Sequence, residues 1–165
     1  MNTQLRDQTE QAIASDNQRE AALQGYIDSM SELLLHEKLR ESEPGAEVRN
    51  IARVRTLTIL PRLDANRKRS VLQFLHESGL IEKGKNIIDL SGADLNKADL
   101  RDATLSYANL LWANLYYATL SGADLSGALL SYANLFAAKL IEADLSTANL
   151  STANFHRALQ LHFVS

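Results

Sequence analysis

The chain has 165 residues, 45% of them hydrophobic and 22% charged, with 17 basic against 20 acidic side chains and no cysteine. This composition fits one folded domain, or one elongated domain with an appended cap, and lies outside the range of disordered chains. The missing cysteines exclude disulfides, thiolate metal sites and cysteine nucleophiles, and a net charge of −3 gives no general pull toward nucleic acid or acidic lipid.

No run approaches the roughly 18 apolar residues of a membrane span. Met1 to Asn17 is polar with acids among its bases, so no signal or transit peptide shows. The first helix is predicted from the spacing Leu23, Tyr26, Ile27, Met30, Leu33, Leu34, which lays one apolar stripe along a helix, with Ser15 and Gln18 as a capping-box start. A second is predicted from Pro44, suited to a first turn, through Val48, Ile51, Ala52, Val54 and Leu57, ending before Pro61. Asp64 is the expected N-cap of a third, with Val71, Leu72 and Leu75 inward and Gly79 as its stop.

Near Lys85 the composition changes. Residues 1–85 hold 13 basic and 13 acidic side chains, whereas residues 86–165 hold 4 basic and 7 acidic ones, so the net charge of 4 − 7 = −3 lies in the second half. That half repeats every five residues, from Ser91-Gly92-Ala93-Asp94-Leu95 to Ser151-Thr152-Ala153-Asn154-Phe155. Alanine occupies every fifth position from Ala93 to Ala158, and leucine or phenylalanine every fifth from Leu90 to Phe155, giving 14 of each without an insertion.

On an α-helix, five residues advance the direction by about 140°, so the leucines would spiral and bury nothing coherent. In an extended segment, residues two apart share a face, so each alanine and the leucine two places later point the same way. The odd period then requires a change of direction in every repeat. If the two residues after each leucine turn a corner, all alanines and leucines face one interior, and successive coils pair their backbones at about 4.8 Å. The Asp, Asn or Thr before the central leucine, and the Ser, Gly or Tyr after it, suit an outward wall and its corners.

These A(D/N)LXX units resemble the pentapeptide-repeat family, over nearly half the chain. The resemblance implies a mainly β fold, a right-handed quadrilateral β-helix with four repeats per coil. Fourteen repeats then make 3.5 coils, a tower of about 17 Å. Departures are Ile88 for the first alanine, Leu129 and Lys139 for the small polar residue, and Gln160, which ends the leucine series. Residues 1–85 are read as an α-helical region capping this solenoid, and 86–165 as the β-helix. Segments such as Gln18 to Leu23, Val54 to Thr58 and Ser70 to Leu75 also look like the helical leader of bacterial, especially cyanobacterial, members. Some relatives of that type carry membrane spans upstream. The expectation for this chain is a cytoplasmic location, or membrane association if a tether lies upstream.

Catalytic signals are weak, and nothing in the pattern asks for a metal or cofactor. His36-Glu37 and His76-Glu77 lack a second histidine four residues on, and His156 and His162 have no fixed carboxylate partner. Gly79 and Gly84 lack the spacing of a phosphate loop. Arg49, Arg53, Arg55, Arg62, Arg67, Lys68 and Arg69 form a basic stretch that at helical spacing reads as solvated faces or as partners for Glu32, Glu37 and Glu41, rather than as a nucleic-acid site.

With a coil of 20 residues, Trp112 stacks beneath Tyr132 and Tyr116 beneath Phe136, with Leu111 and Tyr117 beside them, an apolar patch of the kind that anchors protein partners. The same aromatics could instead only stiffen the tower. The expected function is a noncatalytic protein-interaction or structural scaffold with an unidentified protein partner. The alternative implied by the resemblance is a DNA mimic that binds a type II topoisomerase, but such a mimic needs about ten negative charges over 17 Å. Leu159, Leu161 and Phe163 are read as a thin lid on the last coil, and hence as a two-fold homodimer interface.

Overall fold

A computed structural model describes residues 3–159. Three α-helices come first: α1 (Thr3–Leu35), α2 (Glu47–Ile59) and α3 (Ala65–Glu77), followed by a hairpin of β1 (Ile81–Glu82) and β2 (Lys85–Asn86). Measured by regular elements, the chain is more helical than the expected mainly β fold. In the repeat region the ladder is reduced to single-residue bridges, because a corner interrupts every third residue of pairing.

The stripe Leu23, Tyr26, Met30 and Leu33 is buried as expected, but α1 begins at Thr3, so Ser15 sits inside the helix instead of capping it. Residues before Ala22 are nearly all exposed, and Gln, Glu, Arg and Ala favour helix there without any packing. Pro44 does not open α2 either. Pro44 and Gly45 make a turn with Gly45 at φ 85°, and the helix starts three residues later. Within α2, Ala52, Thr56 and Ile59 are buried, while the expected core residues Ile51 and Val54 face solvent. The chain passes Pro61 in a single 3₁₀ turn, Leu60–Arg62, since proline is acceptable where no backbone donor is needed. Asp64 caps α3 by accepting from the Arg67 N–H at 3.0 Å, and Gly79 at φ 67° ends it, with the Leu80 N–H returning to the Leu75 carbonyl at 2.9 Å.

Tyr26 locks the three helices together. Its ring meets Phe74 of α3 edge-on at 6.2 Å, and its hydroxyl lies 2.9 Å from that of Thr56 in α2. Thr56 donates its one hydroxyl proton to the Ala52 carbonyl, so Tyr26 is the donor of the pair. Burial pushes the Tyr26 phenol well above its ordinary range.

From Asp94 onward, parallel bridges join residues 20 apart and recur every five residues: Asp94 to Asn114, Asp99 to Thr119, Thr104 to Asp124, Asn109 to Leu129, and so on to Lys139 with Leu159. Four pentapeptides therefore make one coil, and each coil hydrogen-bonds to the next. The Leu95 N–H donates to the Asn114 carbonyl at 2.8 Å, and the Asn114 N–H to the Ala93 carbonyl at 2.9 Å. Leu90 to Leu140 and most of the alanines between them are buried. Ala103 is half-exposed beside a hollow of about 220 Å³ that Arg69, Leu72, His76 and Asp102 help to line.

The helices meet three sides of the first coil and the hairpin meets the fourth. Arg53 Nη2 donates to the Ser91 carbonyl at 3.0 Å and Lys68 Nζ to the Asn96 carbonyl at 3.0 Å. One coil later the equivalent carbonyls, of Leu111 and Tyr116, accept from the N–H groups of Gly92 and Lys97. The Asp99 N–H donates to the Ala65 carbonyl of α3, where Thr119 donates to Ala98. On the fourth side Asn86 donates to the Tyr107 carbonyl at 2.8 Å, and Lys83 lies 4.8 Å from the centre of the Tyr107 ring. Helix side chains and one helix carbonyl thus take the bonding places of a preceding coil, and this edge is not left bare.

Charge reinforces the match. Arg53 lies 3.6 Å from Asp89, Lys68 3.6 Å from Asp94 and Arg69 4.0 Å from Asp99. Three of the seven bases are therefore engaged with the repeats, and among the described residues none of the seven pairs with Glu32, Glu37 or Glu41. Two bases reach α1: Arg67 pairs with Asp16 (2.8 Å) and Glu20 (2.9 Å), and Arg55 donates to the Ser29 carbonyl at 2.8 Å. Arg101, hydrogen-bonded to Asp99, holds that carboxyl down at about 2. Of the expected lid, Leu161 and Phe163 lie outside the described residues. Leu159 takes the outward bridge place opposite Lys139 and is 55% exposed, so it stands on the wall and does not cross the end.

Two predictions follow from this packing. Leu115→Ala should cost about 2–5 kcal/mol and Leu115→Lys should prevent folding, while Ser126→Ala, which loses only a hydroxyl bonded to Asp124, should cost under about 1.5 kcal/mol in denaturant unfolding. Asp94→Asn keeps the acceptor for the corner but strips the buried Lys68 of its counter-charge, and should cost about 2 kcal/mol at pH 7. Burial already lowers the Lys68 ammonium below its ordinary range, so the unfolded chain binds more protons and stability should rise with pH across that window. The Asp94→Asn deficit should shrink over the same interval as Lys68 loses its charge, which unfolding curves at pH 7 and pH 10 would measure.

Candidate functional site

Corners place the site. In each one the N–H of the alanine donates to the carbonyl of the leucine three residues back, as Ala98 does to Leu95 at 3.1 Å. The second corner residue has positive φ at all fourteen corners from Gly92 to Arg157, and only Gly92, Gly122 and Gly127 are glycines. With φ positive there and not at the first corner residue, these are type II turns. Trp112, Tyr117 and Tyr132 accept φ of 55–60°, a left-handed conformation that costs a side-chain-bearing residue roughly 1–2 kcal/mol. The outward Asp or Asn offsets that cost by accepting the N–H two residues on, as Asn114 does from Tyr116 at 3.2 Å and Asn134 from Phe136 at 3.2 Å.

Because coils stack in a 20-residue register, corner side chains form columns. Trp112 and Tyr132 lie face to face, with centroids 4.2 Å apart and 4° between planes. At the next corner Tyr116 stacks on Phe136 at 5.4 Å and 14°, Tyr117 meets Tyr116 edge-on at 4.5 Å, and His156 continues the column 5.5 Å beyond Phe136. Arg157 closes its upper end, 5.9 Å from the Phe136 ring. Between the two ridges runs a ladder of amides, Asn154 donating to Asn134 at 3.3 Å and Asn134 to Asn114 at 3.4 Å.

All six residues expected in the patch are brought to this one side of the tower and its two flanking corners. Trp112 is 65% exposed, and Tyr116, Tyr117 and Tyr132 are also exposed, but Leu111 and Phe136 are half-buried, so the patch is smaller than its sequence suggests. Sequence reasoning weighed His156 only as a metal ligand, and it passed over both its place in this column and the asparagine ladder. Counting 20 residues on from Phe136 and from Asn114 would have found both.

Other candidates stay apart. His36 pairs with Glu32 on exposed α1 at 3.5 Å. Among the described residues no group of three or more His, Asp or Glu could hold a metal ion, and no helix is long and apolar enough to cross a membrane.

The family described as pentapeptide repeats matches residues 88–122 and 128–158, in 8 copies, and the inter-coil bridges run unbroken across the gap at Asp124. Among solved structures, the chain is similar to HetL, a pentapeptide repeat protein involved in heterocyst differentiation regulation in Nostoc sp. PCC 7120. The identity is 44%, over 43% of this chain and 35% of HetL, with TM-score 0.24. It is also similar to the pentapeptide repeat protein alr5209 of Nostoc PCC 7120, at 32% identity over 54% of this chain and 72% of that one, with TM-score 0.34. A third, from the Arabidopsis thaliana thylakoid lumen, is 35% identical over 47% of this chain and 57% of its own length, with TM-score 0.26. The chain thus spans about a third of the length of HetL. No curated protein sequence matches it. The uninterrupted five-residue period, the family match and the identity to alr5209 together mean that this chain belongs to the pentapeptide-repeat family.

Proposed function

We propose that the chain is a noncatalytic protein-interaction module. In this reading, residues 86–165 form a right-handed quadrilateral β-helix, residues 1–85 cap its first coil, and the tower presents the face between the Trp112 and Tyr116 corners to a protein partner. The observation that carries it is the exposure of four aromatics, three of them in stacked pairs, on a rigid wall whose other outward positions are mostly small or polar. Tyrosine and tryptophan held in place offer large contact area with little conformational entropy to lose, which is why they dominate binding hot spots.

The DNA-mimic alternative has less support. Of the seven acids in the repeat half, Asp89, Asp94 and Asp99 are paired with Arg53, Lys68 and Arg69. Asp102, Asp124, Glu142 and Asp144 remain, well short of the roughly ten charges that a duplex presents over 17 Å.

A two-fold dimer through the last coil belongs to the same proposal, because Leu145, Leu150 and Phe155 are only half-buried whereas the leucines from Leu90 to Leu140 are buried. Light scattering should give a dimer mass for the chain and a monomer mass for Leu150→Glu. A monomeric unsubstituted chain would reject the dimer.

Replacing Trp112, Tyr116 and Phe136 together with serine should leave the circular dichroism spectrum in place and abolish capture of protein from the native host's extract. Loss of the folded spectrum would make the aromatics a structural ladder and end the proposal for this face.

A further inference from the structure

Resting on that reading of the aromatic face, we infer that its partner is an amphipathic α-helix carrying an aliphatic stripe bracketed by acidic residues, and that Lys97 and Arg157 clamp its two ends. The face offers an extended peptide nothing to pair with. The Asn114 and Asn134 N–H groups donate to Ala93 and Ala113, and the N–H groups of Leu115 and Leu135 to Asn134 and Asn154, so the backbone of this side is consumed between coils. A docking segment must therefore bring its own backbone bonds already made, which a helix does and a strand does not. Two aromatic ridges stand about one three-residue side apart, roughly 10 Å, close to the diameter of a helix.

The chemistry of the face fixes the stripe. Across its two middle coils the outward residues are Leu111, Trp112, Asn114, Tyr116, Tyr117, Ser131, Tyr132, Asn134, Phe136 and Ala137, none of them charged. The asparagine oxygens already accept backbone and amide N–H groups, so covering them with aliphatic surface strands no acceptor. Charge appears only at the ends of the face, and there the one acid, Asp94 below Asn114, is already matched by Lys68 at 3.6 Å. Lys97 lies below Tyr117 and Arg157 beside Phe136 in one corner column, both are exposed, and among the described residues neither has a carboxylate within ion-pair distance. They stand three coils apart, about 14 Å, which a helix covers in about nine residues. A cationic or nucleic-acid ligand gains nothing from such a face: the first would meet two bases, the second a surface without phosphate contacts along its length.

Selection of a random 18-residue phage-displayed library against the full chain tests this. Enriched peptides should be helical, with an aliphatic stripe and Asp or Glu about nine residues apart. A synthetic copy of the most enriched peptide should blue-shift the emission of Trp112, the only tryptophan in the chain. Lys97→Glu with Arg157→Glu should weaken that peptide about tenfold while leaving the unbound emission unchanged. Enrichment of basic or extended peptides, no enrichment at all, or affinity indifferent to the double charge reversal would overturn the acid-bracketed helix. If the reversal is silent but Trp112→Ser abolishes binding, the face survives as a protein-binding surface and only the inferred partner falls. If Trp112→Ser is silent as well, the aromatic face itself is wrong.

Discussion

Everything in the repeat half depends on a corner that can be turned every five residues without leaving a backbone group unpaired. Three bonds close it: the alanine N–H returns to the leucine carbonyl, the outward Asp or Asn takes the first corner N–H, and the second corner N–H crosses to the neighbouring coil. Where Leu129 or Lys139 replaces the Asp or Asn, the first corner N–H has no such side-chain acceptor, yet the coil bonds hold the turn. Because every corner is the same type II turn, four of them return the chain to the same azimuth, and the 20-residue register follows. The core is then a consequence: positions two apart on each short side point inward, and alanine facing leucine fills a narrow interior without voids.

A stack of this kind has a problem at its first coil, whose downward-facing carbonyls and N–H groups would be open to any passing strand. The helices resolve it by imitation more than by coverage. Arg53 and Lys68 donate where the N–H groups of a preceding coil would, and the Ala65 carbonyl accepts where an alanine carbonyl would. Asp89, Asp94 and Asp99 sit in columns that continue as Asn109, Asn114 and Thr119 one coil up, so the acids occur where the helix cations arrive. A buried pair such as Lys68 with Asp94 adds little net stability, since desolvation consumes most of the attraction, but it discriminates sharply between matched and mismatched docking. The clasp therefore sets which coil the helices meet and in which rotation.

Much of this was legible in the residues and some was not, for definite reasons. The period of five is incompatible with a helix and with a flat sheet, so the inward Ala and Leu sets could be named one by one, and from Leu90 to Leu140 all but Ala103 are buried, whereas those beyond are only half-buried. The columns needed the number four, which local spacing does not contain and the family resemblance supplied. Helix ends were read less well because weak signals compete: Ser15 and Gln18 look like a cap, but nothing stops a polar helix of good formers from extending back to Thr3. Pro44 favoured a helix start until Gly45, at positive φ, turned the chain first. The partners of Arg53, Lys68 and Arg69 were misassigned because they depend on tertiary contacts 26 to 36 residues away, whereas sequence spacing only ranks neighbours on one helix.

The aromatic corners are the place where closure alone is an insufficient account. Gly122 and Gly127 show how the architecture turns cheaply: the lower corner residue leans over the glycine above, and a side chain at 127 would come within 2.5 Å of the Tyr107 ring. At the Trp112 and Tyr117 corners the same turn is made by large side chains held in a left-handed conformation, at roughly 1–2 kcal/mol each relative to glycine. Stacking returns part of that cost, since offset or parallel aromatic pairs contribute about 0.5–1.5 kcal/mol. The two terms nearly cancel, so the ladder adds little to the stability of the tower. Yet it leaves Trp112 65% and Tyr132 49% exposed, in a position where glycine would turn the corner at lower cost. Surface aromatics that neither close the fold nor fill its core are the physical ground for the proposed contact face, and the confinement of the exposed ones, Trp112, Tyr116, Tyr117 and Tyr132, to two adjacent corners gives that proposal a direction.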